Sequence, residues 1–378
     1  MEKVDVLIVG GGLSGLSLAD MLADRGIDYK LIEARERLGG RILSVPATDG
    51  ERGDERYDLG PAWFWPGQHR MEALIERLGL SWFEQASVGT LVMQEQNGSV
   101  RRDLNFSTMA GSRRIVGGAQ RLVEALADRV SDRDIALNSQ LKSLTMGDRE
   151  AIAEIEQDGR PQTLRTRSIA LAIPPRIAAR SVAFEPPLGD PMIARLSSIP
   201  TWMAGQAKVV AIYDRPFWRD AGLSGDGMSH MGPLVEIHDA SPQSGDEGAL
   251  FGFVGIRADA RRGRSHDVTA AAIYQLTQMF GDEASRPKQI LYQDWAEEVF
   301  TSTIEDSTGL QHHPQYGLLP PLGGPWDQNV HFASAESAPD YGGYLEGALE
   351  AAEHVFGLIT IKNTYEKEDA VRRDSITV

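Results

Sequence analysis

Cysteine is absent from this chain of 378 residues. Without it the protein has no disulfide, no thiolate metal site, no cysteine nucleophile and no cysteinyl bond to a cofactor. The eight histidines show no spacing typical of metal ligands. We therefore expect no metal centre.

Basic sequence is scarce as well. Lys and Arg together number 38 against 54 Asp and Glu, a net charge of −16. No segment gathers enough cations to follow a phosphate backbone, which argues against a nucleic-acid partner. The densest basic cluster consists of Arg261, Arg262 and Arg264. Gly263 and the polar neighbours of this cluster predict a solvated loop.

Long apolar runs are missing too. No stretch approaches the roughly 20 apolar residues needed to span a bilayer. The chain reads as a strand from its fourth residue without a preceding leader, and it is charged and polar from Lys362 onward. We expect a soluble, cytoplasmic protein that does not associate with membranes.

The first forty residues predict one β-α-β unit. Residues 4–9, VDVLIV, form a nearly continuous apolar run, which is typical of a strand covered on both faces. Apolar residues then recur at helical spacing over residues 13–23, and Gly26 marks the end of that helix. A second strand over residues 29–32 leads into Glu33.

A G-x-G-x-x-G pattern stands between the first strand and the helix. Gly10 permits the tight turn, Gly12 lets the backbone approach a pyrophosphate, and Gly15 lets the helix pack on the strand. Ser14 lies in the same turn, and Glu33 is placed to accept hydrogen bonds from a ribose. These residues predict a dinucleotide site, NAD or FAD. The alternative is a glycine-rich turn of a parallel sheet with no ligand.

The residues that follow carry a more specific pattern. EARERLGGRI, residues 33–42, resembles the E-A-R-x-R-x-G-G-R signature of the flavin-containing amine oxidase family. The resemblance implies bound FAD, with Arg35, Gly40 and Arg41 among its contacts. A guanidinium at Arg41 would neutralise pyrophosphate charge, and the glycine would let the loop lie flat. Because the chain has no cysteine, we expect the FAD to be noncovalent.

Two further segments match the same family. DLGPAW, residues 58–63, is similar to the D-L-G-G-x-W element beside the isoalloxazine, although a proline replaces the second glycine and removes a backbone N–H. IALNSQL, residues 135–141, resembles the strand and turn whose backbone reads the adenine. The resemblance therefore adds these cofactor-binding candidates: Gly60, Pro61, Ala62, Trp63 and Leu141.

The middle of the chain offers a catalytic candidate. KVVAIYDRPFWR, residues 208–219, is similar to a monoamine oxidase strand in which a lysine precedes P-F-W. In the family that lysine holds a water against flavin N5, and the resemblance gives Lys208 this role. An ammonium on an apolar strand also needs an inward partner. The alternative is a surface lysine on an edge strand.

Small residues dominate HFASAESAPDYGGYLEGALEAA, residues 331–352. The stretch resembles the family's F-A-G-T/D-E-T/S strand and its G-Y-x-E-G-A helix start, so the small residues are expected to make room for the flavin. By this resemblance Glu336 reaches the ribityl and pyrophosphate region, and Leu345 offers its N–H to the pyrimidine carbonyl. Tyr344 would form one wall of an aromatic cage; ordinary packing is the alternative.

DWAEEVFTSTIED, residues 294–306, departs from the family pattern. Trp295 aligns with a tryptophan near the flavin, but Glu305 stands where the second cage tyrosine would be. Its carboxylate either holds the cationic end of a substrate or is an exposed loop acid. The segment that follows the D-L-G element is also short, about fifty residues up to the next family motif. We expect a more open site, or one completed by a second subunit in a homodimer.

The predicted architecture is an α/β, Rossmann-like FAD domain with a second α+β substrate domain, as in monoamine oxidases. We expect the FAD domain to comprise residues 1–70, 112–186 and 315–360. The substrate domain, with a mostly antiparallel sheet, would comprise residues 71–111 and 187–314, followed by a polar tail at 361–378.

The resemblance implies FAD-dependent oxidation of a small-molecule amine to an imine, with hydride transfer to flavin N5 and reoxidation by O2 to give H2O2. Two alternatives stay open: a carbon-carbon desaturase of the same fold, and a flavin-binding protein without turnover. Lys208 and Tyr344 favour the amine. Pro61 and the missing cage residue support the protein without turnover.

Overall fold

The computed structural model describes residues 1–46, 55–148, 150–310 and 312–376. Its helices are α1 Leu13–Asp24, α2 His69–Arg77, α3 Gln120–Ala127, α4 Pro175–Ser181, α5 Asp190–Ser198, α6 Ala258–Arg261, α7 Ser265–Phe280 and α8 Leu345–Ile376. Across these ranges no helix is long and apolar enough to cross a membrane.

The strands follow in chain order. They are β1 Glu2–Val9, β2 Tyr29–Ile32, β3 Ser44–Pro46, β4 Arg56–Asp58, β5 Trp82–Glu84, β6 Thr90–Gln94, β7 Val100–Leu104, β8 Arg113–Ile115, β9 Ile135–Ala136, β10 Ser139–Met146, β11 Ala151–Gln157, β12 Arg160–Leu171, β13 Ala183–Glu185, β14 Ala207–Tyr213, β15 Leu223–Ser229, β16 Leu234–Asp239, β17 Gly248–Val254, β18 Gln289–Asp294 and β19 Val330–Phe332.

The first of two compact units contains Met1–Gly40, Ala125–Pro200 and Gln315–Val378. Its sheet has the strand order β13-β10-β11-β12-β1-β2-β9, and β19 pairs with β12. β1 lies in parallel between β2 and β12. Residues 6–9 are buried without alternation because both faces of this strand are covered. The predicted parallel, Rossmann-like unit is therefore confirmed.

The predicted helix after the first strand is also present. α1 ends at Asp24, and Gly26 adopts a φ of +62° while donating its N–H to the Ala23 carbonyl at 3.0 Å. Glycine takes this left-handed conformation without the strain that a Cβ would cause. The glycine thereby reverses the chain after α1 and leads it into β2, which pairs in parallel with β1.

The second unit contains Arg41–Glu124 and Thr201–Pro314. Its sheet has the order β18-β14-β17-β16-β15-β6-β7 and is antiparallel except where β15 pairs with β6. The prediction of a mostly antiparallel sheet is confirmed. Apolar side chains of this sheet and of α7 form one core, which includes Trp218, Leu276 and Met279.

The division of the chain differs from the predicted one for both domains. Residues 187–200, which were predicted for the substrate domain, fall in the first unit. Residues 41–70 and 112–124, which the sequence analysis assigned to the FAD domain, fall in the second unit. The physical reason is their pairing: β3 pairs with β4, β5 pairs with β8, and Phe64 bridges to Arg113 within that unit.

Candidate active site

The glycine turn of the first unit contains two kinds of glycine. A Cβ on Gly10 would lie 2.6 Å from the Ala172 carbonyl oxygen, and one on Gly15 would lie 1.9 Å from the Gly10 oxygen. A Cβ on Gly12 would meet only the Gly39 oxygen, at 3.9 Å. Backbone packing therefore accounts for Gly10 and Gly15, whereas the absent side chain of Gly12 leaves space beside the start of α1.

Glu33 lies at the end of β2, and its carboxylate is fixed against this turn. Its Oε2 accepts the Gly11 N–H at 2.7 Å, and its Oε1 accepts the Arg35 N–H at 2.9 Å. The Glu33 backbone N–H donates to the Ala136 carbonyl at 2.9 Å, so strand pairing holds the residue in place. Each carboxylate oxygen keeps a second lone pair that can accept a hydroxyl hydrogen.

The loop that carries the family signature folds back onto the glycine turn. The Gly39 N–H donates to the Gly11 carbonyl at 2.8 Å, and the Gly40 carbonyl accepts a hydrogen bond from Arg37 at 3.0 Å. Gly40 has a φ of +56°, a conformation that favours glycine. Gly40 is the last residue of the first unit's opening segment, and Arg41 begins the second unit.

The stretch that contains β19 and the start of α8 meets the same turn. Ser14 Oγ donates to the Ala333 carbonyl. The next residue, Ser334, has a buried hydroxyl oxygen with no hydrogen-bond partner among the described residues. Glu336 is buried in the short turn Ala335–Ser337. Leu345 is the first residue of α8, where N–H groups have no acceptor within the helix.

These features fit a dinucleotide. An orphaned buried hydroxyl, an open position at Gly12 and the N–H groups at the start of α1 are the groups that a pyrophosphate would engage. These groups lie in the first unit and have the chemistry expected of the dinucleotide site that the glycine pattern predicts. The pattern did not indicate Ser334.

Other residues of the first unit have more ordinary surroundings. A Cβ on Gly342 would lie 2.3 Å from Cβ of Tyr316, and one on Gly347 would lie 2.0 Å from the Tyr341 carbonyl oxygen. Packing within the protein thus explains part of the small-residue stretch. Tyr344 is 37% exposed. Leu141 turns its side chain into the core, so only its backbone is left for a ligand.

Lys208 is the central residue of the second unit's site. It lies on β14, which pairs on one side with β17 and on the other with β18, and it is 3% exposed. Its Nζ donates to the carbonyl oxygens of Asp58 at 3.0 Å and Gly60 at 2.8 Å. The lysine is therefore neither on an edge strand nor at the surface, and its inward partners are two main-chain carbonyls.

The turn that supplies these carbonyls is held from several sides. Trp295 Nε1 donates to the Leu59 carbonyl at 3.0 Å, between the two carbonyls that Lys208 uses. A Cβ on Gly60 would lie 2.1 Å from the Arg41 carbonyl oxygen, so the close approach of two backbones requires this glycine. Trp63 Nε1 donates to Gln85 Oε1 at 2.8 Å. Pro61 and Ala62 follow directly in the same turn.

Three buried charged groups surround this turn. Asp58 Oδ1 accepts hydrogen bonds from Ser44 Oγ at 2.5 Å and from the Ala119 N–H at 2.9 Å. Burial raises the pKa of the Asp58 carboxyl and lowers the pKa of Arg114. Burial also lowers the pKa of Lys208 to about 7; Asp58 opposes this shift and Arg114 reinforces it. The ammonium is thus poised to lose its proton near neutrality.

This pKa predicts a pH-dependent stability. In the unfolded chain the pKa of Lys208 is about 10.4. Between about pH 7 and pH 10 the unfolded state therefore binds more protons than the folded state, and the free energy of unfolding rises with pH. We expect the free energy of unfolding of the flavin-free protein to rise between pH 7 and pH 9 by about 2 kcal/mol more than that of Lys208→Met. Urea unfolding at each pH checks this. Parallel pH curves for the two proteins would contradict it.

Aromatic residues on β17 form a wall that the sequence analysis missed. Lys208 Nζ lies 4.3 Å from the ring centroid of Phe251 and 5.6 Å from that of Phe253. Cation-π attraction partly replaces the hydration that the ammonium loses on burial. The signal was available, because residues two apart on a strand share a face and GALFGFV carries phenylalanines at that spacing.

A buried imidazole lies behind this wall. His238 packs edge-on against Trp63 at 5.1 Å between ring centroids. Its Nδ1 faces Asp226 Oδ1 at 2.8 Å and its Nε2 faces Glu236 Oε1 at 2.9 Å. Burial alone lowers the pKa of His238, but the two carboxylates outweigh it and raise the pKa. An imidazole with a carboxylate at each nitrogen is best satisfied as the imidazolium.

Glu305 belongs to a different element of the second unit from Lys208. It is exposed and belongs to the short turn Ile304–Ser307. Thr303 and Asp306 hold that turn through a capping box, in which Asp306 Oδ2 accepts both the N–H and the hydroxyl of Thr303. In the part of the chain that the structure describes, no group of three or more His, Asp or Glu is placed to hold a metal ion.

Comparisons with known proteins show the family of the chain. The family model for flavin containing amine oxidoreductases matches residues 91–355, and that for an NAD(P)-binding Rossmann-like domain matches residues 8–78. The chain is 23% identical to a probable flavin-containing monoamine oxidase A of Dictyostelium discoideum, over 93% of this chain and 96% of that protein. It is 24% identical to a putrescine oxidase of Kocuria rosea, over 93% and 95% of the two chains.

Solved structures share the fold. Cyclohexylamine oxidase from Brevibacterium oxydans IH-35A superposes with a TM-score of 0.79 at 18% identity, over 96% of this chain and 99% of that chain. Putrescine oxidase bound to putrescine superposes with a TM-score of 0.76 at 21% identity, over 95% and 99% of the two chains.

Proposed function

The chain belongs to the flavin-containing amine oxidoreductase family, whose members carry out FAD-dependent amine oxidation, and from this premise we propose how its residues perform the two half-reactions. Bound FAD would accept a hydride from the α-carbon of the neutral amine at N5 and would pass the electrons to O2, which yields H2O2. The observation that carries the proposal is the buried ammonium of Lys208 on the carbonyls of Asp58 and Gly60.

Residues of the first unit would hold the cofactor. The start of α1 and the open position at Gly12 would receive the pyrophosphate, and Glu33 would accept hydroxyl hydrogens of the ribose. The Ser334 hydroxyl, which lacks a partner among the described residues, would donate to the same ligand. The N-terminus of α8 at Leu345 would stabilise negative charge.

Lys208 would serve the return of electrons to oxygen. An ammonium has three donors, and the described residues provide hydrogen-bond acceptors for two of them, the Asp58 and Gly60 carbonyls. In the protonated state, the third would donate to a water or to oxygen. In a site with few waters, such a fixed cation stabilises negative charge that develops on oxygen far more than a solvated one does.

The test is a visible spectrum of the FAD-loaded protein under argon, before and after a pool of primary, secondary and polyamines is added. We expect the oxidised-flavin bands to bleach and to return on admission of air, with one H2O2 formed per amine oxidised. Bands that persist with every amine would point to a desaturase or to a flavin protein without turnover. A protein that takes up no FAD would overturn the proposal from its first motif.

Glu305 is proposed to bind the distal cation of a diamine. We expect Glu305→Gln to raise the KM for a diamine about fivefold and to leave the KM for a monoamine of equal length unchanged, because one exposed ion pair contributes up to about 1 kcal/mol. Glu76→Gln, the same charge change at another exposed position of this unit, serves as the control. Steady-state kinetics with both substrates measures the effect. Equal KM changes for both substrates would remove the assignment.

A further inference from the structure

Arg261 is buried, contrary to the solvated loop predicted for its cluster. It is the last residue of α6 and is 2% exposed, whereas Arg262 and Arg264 beside it are exposed. Its guanidinium forms a bidentate ion pair with Asp294: Nε to Oδ2 and Nη2 to Oδ1, each at 2.7 Å. It also donates to the carbonyls of Ile256 at 2.6 Å and Gly205 at 2.7 Å. Arg261 is therefore not a solvated surface charge but a buried member of an ion pair.

Asp294 transmits this anchoring to the next residue. It is the last residue of β18, and its Oδ1 also accepts the Ala296 N–H at 3.0 Å, which caps the short turn Trp295–Glu297. The Trp295 N–H donates to the Gln206 carbonyl at 3.0 Å. One carboxylate thus receives the arginine fork and the N–H of Ala296, the residue after Trp295, so the orientation of Trp295 depends on the ion pair.

The side chain of Trp295 also contacts residues 58–60, the segment that binds Lys208. Its Nε1 donates to the Leu59 carbonyl at 3.0 Å. The carbonyls on either side, those of Asp58 and Gly60, accept from Lys208 Nζ. Asp58 ends β4, and Leu59 and Gly60 form the bend that follows, so holding the middle carbonyl restricts the directions of its two neighbours.

We propose that Arg261 is a positioning residue for Lys208 and acts through Asp294, Trp295 and the Leu59 carbonyl. The inference rests on the role proposed for the lysine in flavin reoxidation. No contact joins Arg261 to Lys208 directly in the described residues; a chain of named hydrogen bonds connects them. Arginine is required at this position because its planar fork matches both oxygens of Asp294, which the single ammonium of a lysine does not.

The experiment compares FAD-loaded wild-type protein with Arg261→Lys, which keeps the charge, and with Arg262→Gln, a larger change at the exposed neighbour, as the control. We expect Arg261→Lys to slow reoxidation by O2 about tenfold, in line with the loss of an oriented donor, and to change anaerobic reduction by an amine less than about twofold. Arg262→Gln is expected to change neither rate. Equal slowing of both half-reactions would overturn the inference, because it would indicate general damage.

A second measurement does not depend on turnover. The indole N–H of Trp295 is identified in a 1H–15N spectrum by its loss in Trp295→Phe. We expect this N–H to exchange with solvent at least about tenfold faster in Arg261→Lys than in wild type, because exchange follows opening of its hydrogen bond. It should be unchanged in Arg262→Gln. An unchanged exchange rate in Arg261→Lys would overturn the proposed connection.

If Arg261→Lys does not fold, Trp295→Phe tests the same connection from its other end. It removes the donor to Leu59, keeps an aromatic ring at this buried position and should slow reoxidation selectively. If both variants fold, the double variant should be no slower than Trp295→Phe alone, since residues that act in one chain are not additive. Lys208→Met distinguishes a failure of the proposed function from a failure of this inference. Should Lys208→Met leave reoxidation unchanged, the proposed function fails; should it slow reoxidation while Arg261→Lys does not, this inference fails alone.

Discussion

Lys208→Met is expected to slow reoxidation of the flavin by about 100-fold, the usual effect of removing one preorganised charge-stabilising donor. Reduction by an amine should change less than about threefold, because the neutral amine carries no charge for an ammonium to stabilise. Methionine has a flexible chain of similar length and fills the place of the lysine stem beside Phe251. Methionine thus keeps the packing of the residue and removes its charge, so slowing of reoxidation alone would be an effect of the charge.

Stopped-flow mixing measures the two half-reactions independently. The reduced enzyme is mixed with O2 in one series, and the oxidised enzyme is mixed with amine under argon in the other. Lys3→Met is a suitable control, since Lys3 is a half-exposed cation that pairs with Glu150 in the first unit. Equal effects of Lys208→Met on both rates would refute the role assigned to the lysine. Circular dichroism verifies that the variant is folded, because the Asp58 and Gly60 carbonyls lose their donor.

Local sequence was sufficient to predict the β-α-β opening of the chain. β1, α1 and β2 are specified by an apolar run, a helical period and a glycine at the helix end, all within residues 2–32. The domain assignment of residues 41–70, by contrast, could not be made from local sequence. Their place in the second unit is set by strand pairing between distant segments, as in β5 with β8, and local pattern carries no information about such partners.

Arg261 illustrates the same limit for a single residue. Three arginines within four positions are most often solvated, and two of these are. The first is buried because Asp294, 33 positions further along the chain, presents both carboxylate oxygens to it. Burial of a charge is decided by a partner of matching geometry. A distant partner leaves no signature in the window around the arginine.

The site was predictable where side chains carry the chemistry and not where backbone does. Lys208 was identified from its strand, and an inward partner was anticipated for its charge. The partners are carbonyls of Asp58 and Gly60, and every residue possesses a carbonyl, so no residue type marked them. Phe251 is the opposite case, because alternation along β17 was visible in the sequence and was overlooked.

A glycine can be required by packing within the protein or by a bound ligand. The sequence does not separate these two explanations, but the structure does. A side chain on Gly15 or Gly347 would strike the protein's own backbone, at 1.9 Å and 2.0 Å respectively. The open space at Gly12 has no such cause, since the Gly39 oxygen at 3.9 Å is an ordinary contact distance. The backbone of Gly12, with a φ of −77° and a ψ of −177°, also suits any residue. We therefore propose that a bound ligand is the reason for glycine at position 12.

Gly12→Ala is accordingly expected to weaken FAD binding by about 100-fold, because a methyl group would hold the pyrophosphate away from N–H groups whose charge-assisted hydrogen bonds contribute about 1.5–3 kcal/mol each. The flavin-free variant should melt at the wild-type temperature or slightly above it, since alanine restricts the unfolded chain. Fluorescence titration with FAD and thermal unfolding of the flavin-free protein measure the two quantities.

Gly15→Ala is the matched control, with the same chemical change three residues further along the turn. Its Cβ would lie 1.9 Å from the Gly10 oxygen, so α1 must shift and the flavin-free protein itself should melt several degrees lower, in line with a cost of about 1–3 kcal/mol for overpacking. The two substitutions thus separate a glycine kept for the ligand from a glycine kept for the fold. Undiminished FAD affinity in Gly12→Ala would place the pyrophosphate elsewhere than at the start of α1. A lowered melting temperature in that variant would show that the open space is closed by the protein itself.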